Sequence, residues 1–332
     1  MRWNKSTKSE GAGLMNVNNP ITEAVLGIDI GGTKVLVGLV TRDGQILASE
    51  KRPVPLMDCD ALLQAIYDSA EHLFAENPEI SVPAVGIGIK GHVNRNRLVS
   101  SSILGGKVSY DFCGMIQEHF QIPVYIDNDV NAATIAEAIL GAGKDTDFFV
   151  YVNIGTGSAI GIYDQGRLVR GHENFSGEIG YSLCRVPQEN RLFGLETVAS
   201  GKGLNDEVRR LAPAYPDTVL AGGIADEDKR IPAAVIFDAW RAGDALACEV
   251  VSRAVETLAV SVINFECMLG AGLYIFGGGV INEPMFFDRV CSRVEQLKAE
   301  HGIPFPFDMR VSELGAANVG LLGAAGVAYS AL

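Results

Sequence analysis

Residues 25–40 have the sequence VLGIDIGGTKVLVGLV, in which two apolar stretches flank a short turn of glycine, threonine and lysine. The apolar stretches predict buried strands, and the Asp43-Gly44 turn that follows predicts a third strand in the same meander. A Gly-Gly-Thr turn exposes backbone N–H groups and leaves room for an anion, because glycine carries no Cβ. An ordinary hairpin turn is the alternative interpretation.

The same pattern returns about 125 residues later at 149–169, which have the sequence FVYVNIGTGSAIGIYDQGRLV. In both copies a strand ends in a polar residue, Asp29 or Asn153, and a small-residue turn with two further strands follows. A repeat of this length indicates two related α/β domains. Two such turns in related domains can face each other across a cleft and clamp a polyphosphate.

A third glycine cluster, Gly277–Gly279, ends another predicted strand, and strands of α/β folds that end at glycine commonly receive a nucleotide. The chain has neither a Walker A motif nor a G-x-G-x-x-G fingerprint that opens a helix, which argues against P-loop and Rossmann sites. The remaining periodic segments predict a helix at 61–76, strands at 85–89 and 124–126, a helix from Asn131, helical sequence at 233–269 and a small-residue helix at the C-terminal end.

Composition limits the classes of partner and compartment. The 332 residues include 27 Lys and Arg against 40 Asp and Glu, a formal charge of -13, and an acidic surface disfavours nucleic acid and anionic lipid. The six cysteines are scattered without a C-x-x-C pair, so we expect reduced thiols and a cytoplasmic protein. Residues 1–23 lack the apolar core of a signal peptide and predict a disordered lead-in.

Eight segments, taken together and in order, resemble the ROK family of repressors, open reading frames and sugar kinases. The resemblance extends from about Val25 to Ala328. The segments are DIGGTK (29–34), VGIGIKG (85–91), DNDVNAA (127–133), NIGTGSAIGI (153–162), GHENFSGEIGY (171–181), GLETVASG (194–201), IFGGGV (275–280) and ANVGLLGAA (317–325).

The resemblance implies a fold class and a domain division. The expected fold is the α/β fold of actin-like ATPases and sugar kinases, which is ribonuclease H-like, with two related α/β domains around a cleft. Residues 24–134 would form the N-terminal domain, which the C-terminal helix at 315–332 would close. Residues 135–314 would form the C-terminal domain.

The resemblance also implies site residues. Asp129 would be the general base and would bind sugar together with Gly91, Asn128, Glu178 and Glu196. The nucleotide-binding set has three parts: Asp29, Gly31, Gly32, Thr33 and Lys34 in the first turn; Gly155, Thr156 and Gly157 in the second; and Gly277, Gly278 and Gly279 under the adenosine. Mg²⁺ would arrive with the nucleotide, near Asp29.

Two departures from the family pattern affect the site. Tyr181 replaces a histidine, and Cys184 is the only cysteine kept of a usual zinc site, so we predict no structural zinc. Lys90 stands where many members have proline, which leaves the substrate open.

The residues taken alone admit other roles. Asn128 or Asp129 could cap the helix that follows, and Glu178 and Glu196 could be surface acids. Lys34 could screen phosphate charge or could be a solvated strand residue. Tyr181 could contact sugar, but we expect it to pack in the core.

The function that the resemblance implies is ATP-dependent phosphorylation of a hexose or hexosamine, at the 6-hydroxyl, by a homodimer without nucleic-acid or membrane partners. A repressor would need a DNA-binding helix-turn-helix ahead of the first turn, and the 28 residues before Asp29 show no paired-helix pattern. A sugar-binding pseudokinase is the third interpretation, against which the retained Asp129 argues.

Overall fold

A computed structural model describes residues 22–186, 189, 191–315 and 317–332. The strands in this part of the chain are β1 (Thr22–Glu23), β2 (Val25–Ile30), β3 (Lys34–Val40), β4 (Ile46–Pro53), β5 (Ile80–Ser81), β6 (Val85–Ile89), β7 (His92–Asn94), β8 (Arg97–Ser101), β9 (Gly106–Lys107), β10 (Val124–Asn128), β11 (Phe148–Ile154), β12 (Ser158–Asp164), β13 (Arg167–Leu168), β14 (Leu183–Arg185), β15 (Leu192–Gly194), β16 (Leu273–Gly277) and β17 (Asp308–Val311).

The α-helices of the described residues follow the same numbering in chain order. They are α1 (Cys59–Glu76), α2 (Phe112–Phe120), α3 (Asp129–Leu140), α4 (Glu196–Ala199), α5 (Gly201–Leu211), α6 (Ala221–Ala225), α7 (Ala233–Arg241), α8 (Ala245–Leu269), α9 (Pro284–His301) and α10 (Val319–Tyr329). Short 3₁₀ helices cover Ser102–Leu104, His172–Asn174, Ile179–Tyr181 and Ala212–Ala214.

Two five-stranded sheets have the same topology. In the first the order is β10-β6-β2-β3-β4, and in the second it is β17-β16-β11-β12-β13 when taken in the same direction. In each sheet three strands form an antiparallel meander and two further strands extend it in parallel. The repeat predicted from the sequence is therefore present, with the two glycine turns at equivalent positions between the first two strands of each meander.

Each sheet has its own hydrophobic core. Buried side chains of α1 and α2 pack with the first sheet, and those of α5, α7, α8 and α9 pack with the second. The predicted helical sequence at 233–269 is interrupted at Gly243, which has a φ of 80°, and Asp244 caps the new helix α8 by accepting from the Ala247 N–H. This break divides the segment into α7 and α8.

Helix α10 lies against the first sheet and against α3. A Cβ at Gly86 in β6 would overlap the carbonyl oxygen of Ala324, so glycine permits this close packing. The predicted small-residue helix is thereby confirmed. Helix α3 also contacts β11 and β12 of the second sheet, so it joins the two halves of the molecule.

The predicted domain division stays a prediction, since its boundary between residues 134 and 135 falls inside α3. The expected disordered lead-in lies outside the described residues except for Thr22 and Glu23, which pair with β5 as strand β1. Within the part of the chain that the structure describes, no helix combines the length and the apolar character needed to cross a bilayer.

Candidate active site

A cleft of about 720 Å³ lies where the central strands of the two sheets end. The parallel strands β10, β6 and β2 end side by side and are followed by Asp129, Lys90 and Gly31, which all line the cleft. The opposite wall comes from the second half of the chain. The predicted site residues that line the cleft are Gly31, Gly32, Thr33, Gly91, Asn128, Asp129, Thr156, Gly157, Glu178 and Glu196.

The first glycine turn is closed by a hydrogen bond from the Gly31 N–H to the Lys34 carbonyl oxygen at 3.0 Å. Gly32 and Thr33 are exposed to the cleft, whereas Lys34 and Asp29 do not line it. Asp29 instead faces Gly320 at the start of α10, where a Cβ would overlap its carboxylate. The turn thus presents backbone and a hydroxyl group to the cleft, with a carboxylate behind it.

Burial raises the pKa of Asp29 to about 6, against the opposing positive charge of Lys34. The negative charge of Asp129 raises the pKa of Asp29 further. Asp29, near the end of β2, and Asp129, at the start of α3, are two mutually repelling carboxylates, and their oxygens are ligands that suit a hydrated divalent cation.

The second glycine turn is closed by the Gly155 N–H, which donates to the Gly157 carbonyl oxygen at 2.9 Å. Thr156 and Gly157 line the cleft, and Gly155 lies behind them. Helix α5 begins against this turn, because the Gly201 N–H donates to the Gly155 carbonyl oxygen at 2.8 Å and the Lys202 N–H donates to that of Thr156 at 3.2 Å.

The third glycine cluster does not line the cleft. Gly278 has a φ of +95°, and a Cβ there would overlap the Ile154 carbonyl group, so this segment packs directly behind the second turn. Gly279 is exposed and Gly277 is buried at the end of β16. The predicted contact of these glycines with adenosine stays a prediction.

Asn128 and Asp129 share one helix start but differ in role. Asn128 is the N-cap of α3, since its side-chain oxygen accepts a hydrogen bond from the Asn131 N–H at 2.6 Å. The Asp129 carboxylate accepts a hydrogen bond from the adjacent Val130 N–H at 3.1 Å, and it faces the cleft. Capping by Asn128 therefore leaves the Asp129 carboxylate available for other chemistry.

Burial raises the pKa of Asp129, and the positive charge of Lys90 partly opposes this effect. Glu178 also has a raised pKa through partial burial; the charge of His92 lowers it, and those of Asp129 and Glu196 raise it. Glu196 accepts a hydrogen bond from the Ser158 N–H at 3.1 Å. The structure thus gathers three carboxylates at one end of the cleft, where they can accept hydrogen bonds from hydroxyl groups.

Several residues that line the cleft were not among the predicted site residues: Lys90, His92, Ser100, Ser101, Ser102 and Arg230. The expectation that Tyr181 packs in the core was wrong. Its side chain is 82% exposed and lines the cleft, because it ends a one-turn 3₁₀ helix at the molecular surface. Exposed polar side chains have no periodic pattern that would reveal them in the sequence.

A polar network behind the sugar end of the predicted site joins the two halves of the chain. Buried Asp127 pairs with Arg170 at 2.6 Å and accepts a hydrogen bond from the Asn131 side-chain amide at 2.9 Å. Asn174 accepts from Arg170 at 3.3 Å and donates to the Val93 carbonyl oxygen at 2.7 Å. The segment that precedes Glu178 is thereby attached to the end of β10, directly before Asp129.

A second contact fixes the same segment at β7. The His92 ring stacks on Phe175 with ring centroids 4.2 Å apart, and its Nε2 lies 2.7 Å from the Glu173 carbonyl oxygen. Glu173 and Asn174 have positive φ angles of 50° and 63°. The segment therefore holds a strained backbone that these contacts must stabilise.

Comparisons with curated proteins and with solved structures both find sugar kinases similar to this chain. The glucokinase of Streptomyces coelicolor is 29% identical over 270 residues, which are 78% of this chain and 82% of that protein. The β-glucoside kinase of Listeria monocytogenes is 27% identical over 82% of this chain and 87% of its own length. A ROK family glucokinase from Streptomyces griseus, solved with glucose and AMPPNP, has a TM-score of 0.74 at 27% identity and covers 92% of this chain and 99% of its own.

The Streptomyces griseus structure and that of a ROK hexokinase from Thermus thermophilus, which has a TM-score of 0.75 at 25% identity, share the actin-like ATPase fold with this chain, as the family resemblance implied. The sequence model of the ROK family matches residues 25–330, which are nearly the whole of the chain that the structure describes. The chain therefore belongs to the ROK family.

Proposed function

We propose that the protein transfers the γ-phosphoryl group of ATP to the 6-hydroxyl of a hexose or hexosamine, with Asp129 as the general base. The observation that carries the proposal is the position of the Asp129 carboxylate, on a cleft that both glycine turns line. The similarity to glucokinases and to a β-glucoside kinase supports a sugar substrate and a nucleotide donor.

The two glycine turns suit the phosphate chain. Their backbone N–H groups and the hydroxyl groups of Thr33 and Thr156 are donors without a side-chain obstacle at Gly32 or Gly157. Phosphoryl transfer depends mainly on positioning and on neutralising charge, so such a cradle supplies much of what the reaction requires. Mg²⁺ bound with the nucleotide would neutralise phosphate charge, and the Asp29 carboxylate would hold it through water.

The three carboxylates suit the acceptor. Glu178 and Glu196 would fix hydroxyl groups of the sugar, and Asn128 would offer its side-chain amide N–H, since its oxygen already caps α3. Asp129 would accept the proton of the attacking hydroxyl as the new O–P bond forms. A buried carboxylate with a raised pKa is a stronger base than an exposed one, which suits this role.

The test is release of ADP by the purified full chain over a panel of sugars, with and without the substitution Asp129→Asn. We expect sugar-dependent turnover, and a fall in kcat of about 10²-fold or more in the variant at a melting temperature no lower than that of the wild type. Asp60→Asn is a matched control, because Asp60 lies in the first turn of α1, as Asp129 does in α3, but is exposed and does not line the cleft.

Two outcomes would contradict the proposal. Wild-type turnover in the folded Asp129→Asn variant would exclude Asp129 as the base. Sugar binding by the wild type without ADP release would favour a sugar-binding regulator or a pseudokinase, since the ROK family also contains repressors.

A further inference from the structure

Arg230 lines the cleft but is far in sequence from both glycine turns. It is exposed, and within the described part of the chain it forms no hydrogen bond or salt bridge. Its neighbour Ile231 is buried and only 3% exposed, so the backbone at this point is anchored while the guanidinium group stays free to bind. A guanidinium group held over a cleft of this kind is a natural partner for phosphate oxygens.

The loop that carries Arg230 is organised by one side chain. The Arg209 guanidinium group, on α5, donates hydrogen bonds of 2.7 to 3.1 Å to four carbonyl oxygens of this loop, those of Gly223, Ile224, Asp226 and Lys229. Asn205, one turn earlier on α5, accepts from the Ile231 N–H at 2.9 Å. The Arg209 Nε also donates to the Asn205 side-chain oxygen at 3.3 Å, which joins the two α5 side chains that hold the loop. Arg209 does not line the cleft, so it fixes the shape of the loop and adds no charge to the cleft lining.

The position of α5 places this loop beside the second glycine turn. Helix α5 begins at Gly201 and Lys202, whose N–H groups bind the carbonyl oxygens of Gly155 and Thr156. Burial alone would raise the pKa of Asp206 on α5, but hydrogen bonds from Lys202 and Asn205, the charge of Lys202 and the charge of nearby Arg230 together lower it. Helix α5 thus contacts both the second glycine turn, at its start, and the loop that carries Arg230.

We propose that Arg230 binds the phosphate chain of a nucleoside polyphosphate from the side of the second glycine turn, and that Arg209 is a positioning residue for it. The inference rests on the proposed function, because it takes the nucleotide from there. It adds a cation that the glycine turns themselves lack, since Lys34 of the first turn does not line the cleft. Arg230 would therefore contribute to the affinity for the β- and γ-phosphates.

The experiment measures equilibrium binding of ATP, ADP and AMP to the full chain by calorimetry. For Arg230→Met we expect ATP and ADP affinity to fall by roughly 10- to 100-fold, the range for losing a charge-assisted hydrogen bond, while AMP affinity stays unchanged. Arg230→Lys should retain part of the affinity, because lysine keeps the charge but lacks the planar fork. Lys229→Met is the control: it removes the same charge from the adjacent position, which does not line the cleft.

Arg209 is tested by coupling. Arg209→Met should weaken ATP binding, but the double variant Arg209→Met/Arg230→Met should bind ATP no more weakly than Arg230→Met alone. Independent, additive losses would exclude the positioning role. Loss of AMP affinity in parallel with ATP affinity, or wild-type ATP affinity in Arg230→Met, would overturn the assignment of Arg230.

Sugar-dependent ADP release is measured on the same preparations to separate the two proposals. A wild type that binds ATP through Arg230 but transfers no phosphoryl group would overturn the proposed function and leave the Arg230 inference in place. An active wild type with an Arg230→Met variant of equal ATP affinity would overturn only the inference. A wild type that binds no ATP would overturn both.

Discussion

Removal of the Arg170 guanidinium group should loosen the segment that carries Glu178. Asp127 is 1% exposed, whereas the Arg170 side chain is 49% exposed, so the ion pair is buried on one side only. Breaking a fully buried pair costs about 3–5 kcal/mol, and breaking an exposed pair costs about 0–1 kcal/mol. Asp127 would keep its hydrogen bond from Asn131, so we expect Arg170→Met to cost about 1.5–3 kcal/mol.

The functional effect should appear mainly in the KM for sugar. The Arg170–Asp127 pair and the Asn174 contacts hold the 170–177 segment in a strained backbone conformation, and Glu178 follows directly. If this segment loosens, Glu178 loses its fixed position and sugar binding weakens, by roughly fivefold for each kcal/mol of positioning energy that is lost. The Asp129 carboxylate stays in place on α3, so kcat should change less.

The assay combines urea denaturation with steady-state kinetics. Arg167→Met is the matched control, since Arg167 is an exposed arginine on β13, three residues away, and does not pair with Asp127. Unchanged stability together with an unchanged KM for sugar in Arg170→Met would refute the argument. A fall in kcat alone would show that the network acts on Asp129 and not on Glu178.

Two further predictions concern charge in the cleft. Because the pKa of Asp29 is raised from 3.8 to about 6 in the folded protein, ionisation of this carboxyl destabilises the fold. The destabilisation is absent below pH 3.8, grows as the pH rises and reaches its full value above about pH 6. Asp29→Asn should therefore raise the melting temperature of the ligand-free protein more at pH 7.5 than at pH 4.5, in thermal scans with Asp60→Asn as control; an equal effect at both values would contradict the assignment. Lys90→Met removes the charge that lowers the pKa of Asp129, so the acid limb of the pH–kcat/KM profile should move to higher pH, and Lys90→Arg should restore it. An acid limb that does not move would show that Lys90 leaves the base unaffected.

Local patterns predicted much of the fold. The alternation of apolar strands and glycine turns identified both meanders, and the spacing of small residues identified α10, because each pattern depends on neighbours within a few residues. The break at Gly243 was missed, since the apolar stripe continues on both sides of it. The spacing of apolar residues does not change at Gly243, so it does not reveal the backbone conformation that ends α7 there.

The candidate site was predictable only where its residues lie in motifs. The Asp127–Arg170 pair joins positions 43 residues apart, and the loop that carries Arg230 is held by hydrogen bonds from Arg209 on α5 to its carbonyl oxygens. Neither arrangement follows from local sequence, because each depends on how separate elements pack. Tyr181 was misjudged for a related reason: tyrosine is as compatible with the core as with a cleft, and only the surrounding elements decide.

The most direct test of the account is a crystal structure of the full chain with glucose and AMPPNP. We expect the phosphate chain between the two glycine turns and a carboxylate oxygen of Asp129 at about 2.6–3.2 Å from the sugar 6-hydroxyl. An Asp129 carboxylate that contacts no oxygen of either ligand would contradict it.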